Sequence, residues 1–176
     1  MSIVIQNQVK LHRWMVWLLV KKLTKSLDIT KYAITGSYRR GKWWCNDIDL
    51  LVPISTPEEG NGVIERVQSL GWKLRPGRII NEHMFSNQFV KKTSAGNVIL
   101  DLFLVPPGCW GNAMLFSTGP KSFNDTIRKD LVAAGWSWAI PRYFTHIRSN
   151  KYVSFNEERA AMKFLGINWI SPRKRR

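Results

Sequence analysis

The stretch that decides the fold is residues 35–52, TGSYRRGKWWCNDIDLLV. It begins with a Gly-Ser turn and two arginines, and it ends with Asp47 and Asp49 at the start of an apolar run. If residues 47–52 form a strand, both carboxylates lie on one face, while the apolar residues that alternate with them point into the core. Two close carboxylates repel each other, and each favours its protonated form unless a cation neutralises the pair. The stretch therefore predicts a divalent-metal site beside a phosphate-binding turn.

The turn itself lies at Gly36 and Ser37, after a short predicted strand at residues 32–35. We expect it to begin a helix that carries Arg39 and Arg40. The free N–H groups and the positive dipole end of a helix N-terminus bind phosphate. Gly-Ser alone is a weak signal, but the two arginines and the Asp-x-Asp strand that follow make the combination specific.

A second strand carries one more carboxylate. Residues 97–105 read NVILDLFLV, an apolar run around Asp101. An ionised carboxylate in such surroundings is costly unless it is paired or bound to a metal. The alternative is a buried aspartate that accepts hydrogen bonds from backbone amides. The Asp-bearing strand already found at residues 47–52 favours the metal.

The overall charge points to a polyanionic partner. The 176 residues include 27 Lys and Arg against 12 Asp and Glu, which gives a formal net charge of +15. Nucleic acid is the simplest such partner, and an anionic membrane surface is the alternative. The apolar stretch near the N-terminus, residues 14–20, is shorter than the ~20 residues of a membrane span, so no membrane segment is expected. Two cysteines are too few for a disulfide framework and fit a reducing, intracellular compartment.

The periodicity of apolar residues predicts an α+β chain. Helices are predicted at about residues 5–26, 58–70, 122–134 and 157–165, the last capped by Asn156 and the last three each followed by a glycine. Strands are predicted at residues 32–35, 47–52, 97–105, 136–140, 142–146 and 152–155, with two or three more within 72–92 and turns at 76–77 and 81–82. The Pro-Pro-Gly break after residue 105 predicts a boundary between residues 1–105 and 106–176.

Three aspartates on neighbouring strands suit two-metal chemistry at phosphorus. Magnesium prefers carboxylate and phosphate oxygens, and two such ions ~3.5–4 Å apart stabilise both the attacking and the leaving oxygen. Gly36, Ser37 and Arg40 would then hold the β and γ phosphates of a triphosphate. The predicted reaction is nucleotidyl transfer. Phosphatases and nucleases also use carboxylate metal sites, but they have less need of a separate triphosphate site.

The order of the motifs resembles the DNA polymerase X family. The motifs are TGSYRRG, CNDIDLLV, LDLFLV, FSTGPKSFNDTIR and FLGINWISPRKR, and they span residues 35–175. The resemblance implies a nucleotidyltransferase palm, a mixed sheet with helices, in residues 1–105 and a small α+β C-terminal subdomain in residues 106–176. It also implies two magnesium ions, with manganese as a substitute, bound by Asp47, Asp49 and Asp101. Of these, Asp101 helps to activate the primer 3′-hydroxyl.

The same resemblance assigns roles in the C-terminal subdomain. Phe116 and Gly119 match the strip beside the sugar of the incoming nucleotide. Asn124 matches the donor to the minor-groove edge of the incoming base, and Arg128 matches the contact to the template. Ser117 stands where the family often has a second aromatic residue.

The chain resembles the minimal form of the family that is found among viral members, with a palm and one further subdomain. DNA would then be gripped by the N-terminal helix, by Trp43 and Trp44, which either stack on bases or pack, and by the basic tail. The tail residues are Arg173, Lys174 and Arg175. We expect the other tryptophans to lie mostly in the core. We also expect a monomer, encoded by a virus and acting inside the host cell.

The expected function is therefore that of a DNA-directed DNA polymerase. It would add dNTPs to a primer 3′-hydroxyl on gapped or primer–template DNA, as in short-gap filling during DNA repair. The alternatives are a template-independent nucleotidyltransferase that acts on nucleic-acid ends or a small acceptor, and a non-catalytic DNA-binding module. Asn124 and Arg128 favour a template because two minor-groove contacts make sense only for a base pair.

Overall fold

The computed structural model describes residues 7–75, 86–139 and 141–175, and it has the predicted α+β fold. The predicted turns at residues 76–77 and 81–82 lie outside the described residues. In the first part of the chain, the helices are α1 (Arg13–Ser26), α2 (Gly36–Arg39) and α3 (Pro57–Ser69). The strands there are β1 (Leu11–His12), β2 (Ala33–Ile34), β3 (Trp44–Cys45), β4 (Ile48–Pro53), β5 (Lys73–Leu74), β6 (Ser86–Thr93) and β7 (Gly96–Val105).

Five of these strands form one mixed sheet in the order β2-β4-β7-β6-β5. β4 and β7 run parallel, and the other neighbours are antiparallel. Ile48 and Leu50 on β4 point to one face, where they are 1% and 0% exposed and pack with the buried stripes of α1 and α3. Asp49 lies on the opposite face, directly across from Asp101 on β7. The strand prediction is confirmed from residue 48 onward, with Asp47 just before the strand, and Asp49 and Asp101 are neighbours because parallel strands place residues in register.

The second part of the chain forms a smaller sheet with three helices. Its elements are α4 (Trp110–Thr118), α5 (Lys121–Ala133), β8 (Trp136–Ala139), β9 (Tyr143–His146), β10 (Tyr152–Val153) and α6 (Glu158–Phe164). The strands are antiparallel in the order β10-β9-β8. α4 joins the two parts: Leu115 packs in the core of the second part, while Ala113 packs against Leu51, Phe103 and Val105 of the large sheet.

The first predicted helix is wrong over residues 7–12, and its residues 5–6 lie outside the described part of the chain. Val9 is extended, and its N–H donates to the carbonyl of Asn97 at 3.1 Å. Leu11 and His12 form β1, which pairs with β3, so helix α1 begins only at Arg13. The apolar spacing did not reveal this because the extended segment is fixed by partners that are distant in sequence.

Two further details depart from the sequence prediction. Helix α4 was not predicted, because it is apolar on nearly all sides and lacks the stripe that marks a surface helix. Helix α6 begins at Glu158, so the N-cap residue is Glu157 rather than Asn156. Helices α3 and α5 lie within one residue of their predicted bounds.

Cys45 and Cys109 are both free and buried. Within the described residues, no helix combines the length and apolarity needed to cross a bilayer.

Candidate active site

A cleft of about 690 Å³ opens on the acidic side of the large sheet, between the two parts of the chain. Ten of the predicted site residues line it: Gly36, Ser37, Arg40, Trp44, Asp47, Asp49, Phe116, Gly119, Asn124 and Arg128. Asp101 is not among the lining residues; it is 8% exposed and lies beside Asp49 in the sheet. The structure therefore brings two of the three predicted metal ligands to one cleft with the predicted phosphate-binding and base-contacting residues, and it places Asp101 next to them in the sheet.

Gly36 and Asp49 are in close contact at the base of this cleft. Gly36 has a φ of 54°, and a Cβ atom on it would lie 1.7 Å from Oδ2 of Asp49. The N–H of Thr35 donates to the carbonyl of Asp49 at 2.8 Å, which holds the turn against β4. Glycine is required here by the aspartate itself, since any other residue would displace its carboxylate.

The charges in the cleft are poorly solvated. Burial raises the pKa of the Asp47 carboxyl, against the opposing effects of its own backbone hydrogen bond and of Arg40. Burial likewise lowers the pKa of the Arg40 guanidinium, and Asp49 and Asp47 oppose that shift. Asp47 and Asp49 thus lie near Arg40 in a region where water stabilises charge less than it does at the surface.

The donor set fits a hard divalent cation, although it is not preassembled. Within the part of the chain that the structure describes, no three His, Cys, Asp or Glu side chains are placed as a ready metal site. The predicted ligands are carboxylates only, the ligand type that magnesium and manganese favour. Ser37 supports a ligand nearby, because its Oγ is buried and makes no hydrogen bond with any described residue.

The phosphate-binding turn depends on side chains more than on a helix dipole. Helix α2 begins at Gly36 as predicted, but it has only 4 residues. A single turn aligns few peptide dipoles, so the attraction for a triphosphate would come mainly from the charge of Arg40. The Arg40 guanidinium donates to the carbonyl of Thr118, which links the turn to the C-terminal end of α4.

The predicted base-contacting residues are engaged within the protein. Asn124 donates from Nδ2 to the carbonyl of Phe116 at 2.8 Å, and its Oδ1 is buried with no partner among the described residues. Arg128 pairs with Asp125 at 3.1 Å. The ring of Phe116 meets that of Phe103 edge to face at a centroid distance of 6.1 Å. These contacts use one of the two amide donors of Asn124 and one of the five guanidinium donors of Arg128, so each residue keeps donors that a base pair could use.

The rim of the cleft carries exposed aromatic rings. Trp43 and Trp44 are 67% and 59% exposed. His12 stacks on Trp43 at a centroid distance of 5.8 Å, and the Arg13 guanidinium lies 5.8 Å from the Trp43 ring. Of the other seven tryptophans, Trp72 and Trp138 are buried and Trp110 and Trp136 pack against the core, while Trp14, Trp17 and Trp169 are exposed. Nothing in the spacing of the tryptophans marked the exposed ones.

The basic tail divides into exposed and buried residues. Arg173 and Lys174 are exposed, as a DNA contact requires. Arg175 is 5% exposed, and its Nη1 donates to Oε1 of Glu158 at 2.6 Å. Arg39 donates to the same carboxylate at 2.7 Å. In this arrangement Arg175 holds α6 rather than a DNA phosphate, which corrects the prediction made from the basic tail.

Sequence reasoning missed Gln88. It lies on β6 opposite Asp101, and its Nε2 donates to Oδ1 of that aspartate at 2.8 Å. Gln88 falls in an unremarkable polar run, SNQ, and only the strand register makes it a neighbour of the site.

No known protein-family model matches the sequence, and no curated protein sequence is significantly similar to it. The resemblance to the DNA polymerase X family therefore stays a prediction from the motifs.

Proposed function

We propose that this protein is a DNA-directed DNA polymerase that adds dNTPs to a primer 3′-hydroxyl by nucleotidyl transfer. The observation that carries the proposal is the register of Asp49 opposite Asp101, next to a cleft that also holds Asp47, Arg40 and Asn124. Carboxylates on adjacent strands, beside a cleft lined by Arg40 and by the buried hydroxyl of Ser37, suit a metal-bound triphosphate better than they suit a structural ion pair.

Different residues of the cleft would bind the metal ions and the phosphates. Asp47, Asp49 and Asp101 would hold two magnesium ions, which when bound acidify the primer hydroxyl and neutralise the triphosphate. Arg40 and Ser37 would bind the β and γ phosphates and orient the α phosphate. The primer oxygen then forms a bond to the α phosphorus, the bond to the β phosphate breaks, and pyrophosphate leaves with its charge balanced by Arg40.

The surface charge supports a nucleic-acid substrate. Residues 1–46 contain nine Lys and Arg but one acidic residue, Asp28. The exposed rings of Trp43 and Trp44 lie among these cations, and aromatic rings within a basic surface bind unpaired bases and phosphates together. Arg173 and Lys174 would add phosphate contacts at the tail. We propose a monomer that fills short gaps in DNA inside a virus-infected cell.

The test is single-nucleotide extension on gapped DNA. Purified protein, magnesium and a primer–template with a one-nucleotide gap are combined with each dNTP in turn, for each of the four template bases. A template-directed polymerase incorporates the complementary nucleotide preferentially. Equal incorporation opposite every template base would contradict template direction, and no incorporation on any substrate would contradict the polymerase.

One observation favours the alternative of a template-independent nucleotidyltransferase acting on nucleic-acid ends or a small acceptor. Asn124 is 6% exposed and uses one of its two amide donors on the carbonyl of Phe116, so it presents little of its side chain to a base edge in this arrangement. Asn124→Ala separates the two functions. Loss of incorporation in the variant supports the polymerase, whereas unchanged incorporation supports the alternative.

A further inference from the structure

Asp101 is held from the side by its neighbouring strand. Gln88 on β6 is its register partner, and the two side chains are joined by a hydrogen bond of 2.8 Å from Nε2 to Oδ1. Both residues are 8% exposed, so water competes little with this contact. Gln88 is not among the residues that line the cleft, so it holds Asp101 from the neighbouring strand.

The direction of the Gln88 amide follows from chemistry. Arg75, at the end of β5, donates from Nη1 to Oε1 of Gln88. A guanidinium has donors only, so the amide oxygen must face Arg75 and the amide N–H group must face Asp101. The usual ambiguity between the two ends of a glutamine side chain is removed. The result is a relay of defined polarity that runs from Arg75 through Gln88 to Asp101.

The hydrogen bonds from Arg75 through Gln88 orient the carboxylate of Asp101, as a metal ligand requires. Rotation of an aspartate carboxylate about its terminal torsion is broad, so the positions of its oxygens are poorly defined by rotamer preference alone. A donor fixed on Oδ1 restricts that rotation. The Gln88 amide that supplies this donor is neutral, and it is itself held by the guanidinium of Arg75. Groups that orient metal ligands typically change metal affinity or activity by ~10–100-fold when they are removed.

We propose that Gln88, itself oriented by Arg75, is the positioning residue that sets the carboxylate of Asp101 for reaction with the primer. The proposal rests on the proposed function in that it gives Asp101 a metal and a primer hydroxyl to act on. Gln88 touches neither substrate nor metal; it acts through Asp101. A purely structural role would instead lower stability and leave the behaviour toward metal unchanged.

Gln88→Met tests the relay, because it keeps the length of the side chain and removes the donor. The matched control is Gln68→Met, the same change at an exposed position on α3. We expect Gln88→Met to lower kcat by ~10–100-fold, to leave KM for the dNTP within about twofold and to raise the magnesium concentration for half-maximal rate. The control should match the wild type in all three.

A binding measurement separates this proposal from the proposed function. Binding of Mn²⁺, followed by the electron paramagnetic resonance of the free ion, should be weakened by ~10–100-fold in Gln88→Met and unchanged in Gln68→Met. If the wild type does not polymerise, this difference still supports the positioning role. Mn²⁺ affinity equal to that of the wild type overturns it, whatever the activity.

Arg75 gives a second variant that does not alter the buried strand. Arg75→Met allows the Gln88 amide to rotate. We therefore expect kcat and Mn²⁺ affinity to fall in this variant as well, but by less than in Gln88→Met. Arg75→Lys keeps a donor to Oε1 and should recover most of the loss. If Gln88→Met does not fold, a parallel fall of kcat and Mn²⁺ affinity in Arg75→Met with recovery in Arg75→Lys supports the relay. Wild-type values in Arg75→Met overturn it.

Discussion

Arg39, the last residue of helix α2, and Arg40, which follows it, enter two different groups of charged side chains. Arg39 donates to Glu158 at 2.7 Å, and Arg175 donates to the same carboxylate, so two cations surround one acid. Arg40 enters the cleft, where Asp47 and Asp49 surround one cation. We refer to the group of Arg39, Glu158 and Arg175 as the Glu158 cluster.

The difference separates a charge group that holds the fold from one that is prepared for a ligand. In the Glu158 cluster every acid has its donors, and the cluster ties α2 to α6 and to the tail. In the cleft, Asp47 and Asp49 are held beside Arg40, and burial raises the pKa of Asp47. A buried carboxylate costs stability when it is ionised, and a bound cation relieves that cost.

The largest effect is expected from Glu158→Ala. It leaves Arg175 buried without its carboxylate, and breaking a buried ion pair costs ~3–5 kcal/mol of unfolding free energy. Denaturant unfolding measures the loss, with Glu157→Ala, an exposed neighbour, as the control. A loss below ~1 kcal/mol, the range of surface ion pairs, would show that the cluster is not a stabilising element.

Replacing Arg40 by alanine should mainly lower activity, whereas replacing Arg39 should mainly lower stability. Arg40→Ala should lower kcat/KM for the dNTP by ~10–100-fold, because a hydrogen bond to a charged group contributes ~1.5–3 kcal/mol. Its unfolding free energy should stay closer to that of the wild type. Arg39→Ala should lower the unfolding free energy and affect kcat/KM less. If both variants lose only stability, Arg40 does not bind the triphosphate.

Residues at the rim of the cleft should contribute to DNA binding, whereas the buried Arg175 of the tail should contribute to stability. Trp43→Ala and Trp44→Ala should each weaken binding of gapped DNA by ~1–3 kcal/mol, the usual range for loss of base stacking, without loss of stability. Arg175→Ala should lower stability because its side chain is buried. Fluorescence anisotropy with labelled DNA measures binding, with the exposed Tyr152→Ala as a control on the C-terminal part. Unchanged affinity in both tryptophan variants would mean that these rings do not contact DNA.

The smallest change in stability is expected from Asp47→Asn. This variant should be more stable than the wild type, whereas Glu158→Ala should be less stable. The folded-state pKa of Asp47 is raised, so its ionised form destabilises the fold at neutral pH. The penalty is full above the folded pKa and vanishes below the unfolded one. The variant should therefore melt at a higher temperature than the wild type at pH 7. This difference in melting temperature should decrease as the pH falls through the pKa of Asp47 in the folded protein. Exposed Asp130→Asn should show no such gap, and a less stable Asp47→Asn would contradict the account.

The sequence was informative wherever local patterns determine structure. The apolar runs around Asp49 and Asp101 predicted both strands, and the glycines after α3 and α5 marked the ends of those helices. Partners that meet only in the fold were not predictable. Glu158 sits in a polar run that reads as surface, yet it is buried by arginines from both ends of the chain.

The same limit explains the tail and the neighbour of Asp101. Arg175 belongs to a run of basic residues, and charge alone does not reveal which member is buried. Gln88 comes into contact with Asp101 through the antiparallel register of β6 and β7, which no local pattern encodes. The sequence therefore predicted the chemical groups of the cleft, while the contacts that hold them depend on tertiary structure.

Single-turnover extension by Asp101→Ala on gapped DNA tests whether Asp101 takes part in nucleotide addition. The account predicts that the rate falls by on the order of 10³ or more, because a member of a catalytic set is removed. DNA affinity should be unchanged or higher, because one negative charge is lost, and Asp130→Ala should extend at the wild-type rate. Extension by Asp101→Ala at a rate near that of the wild type would contradict the account.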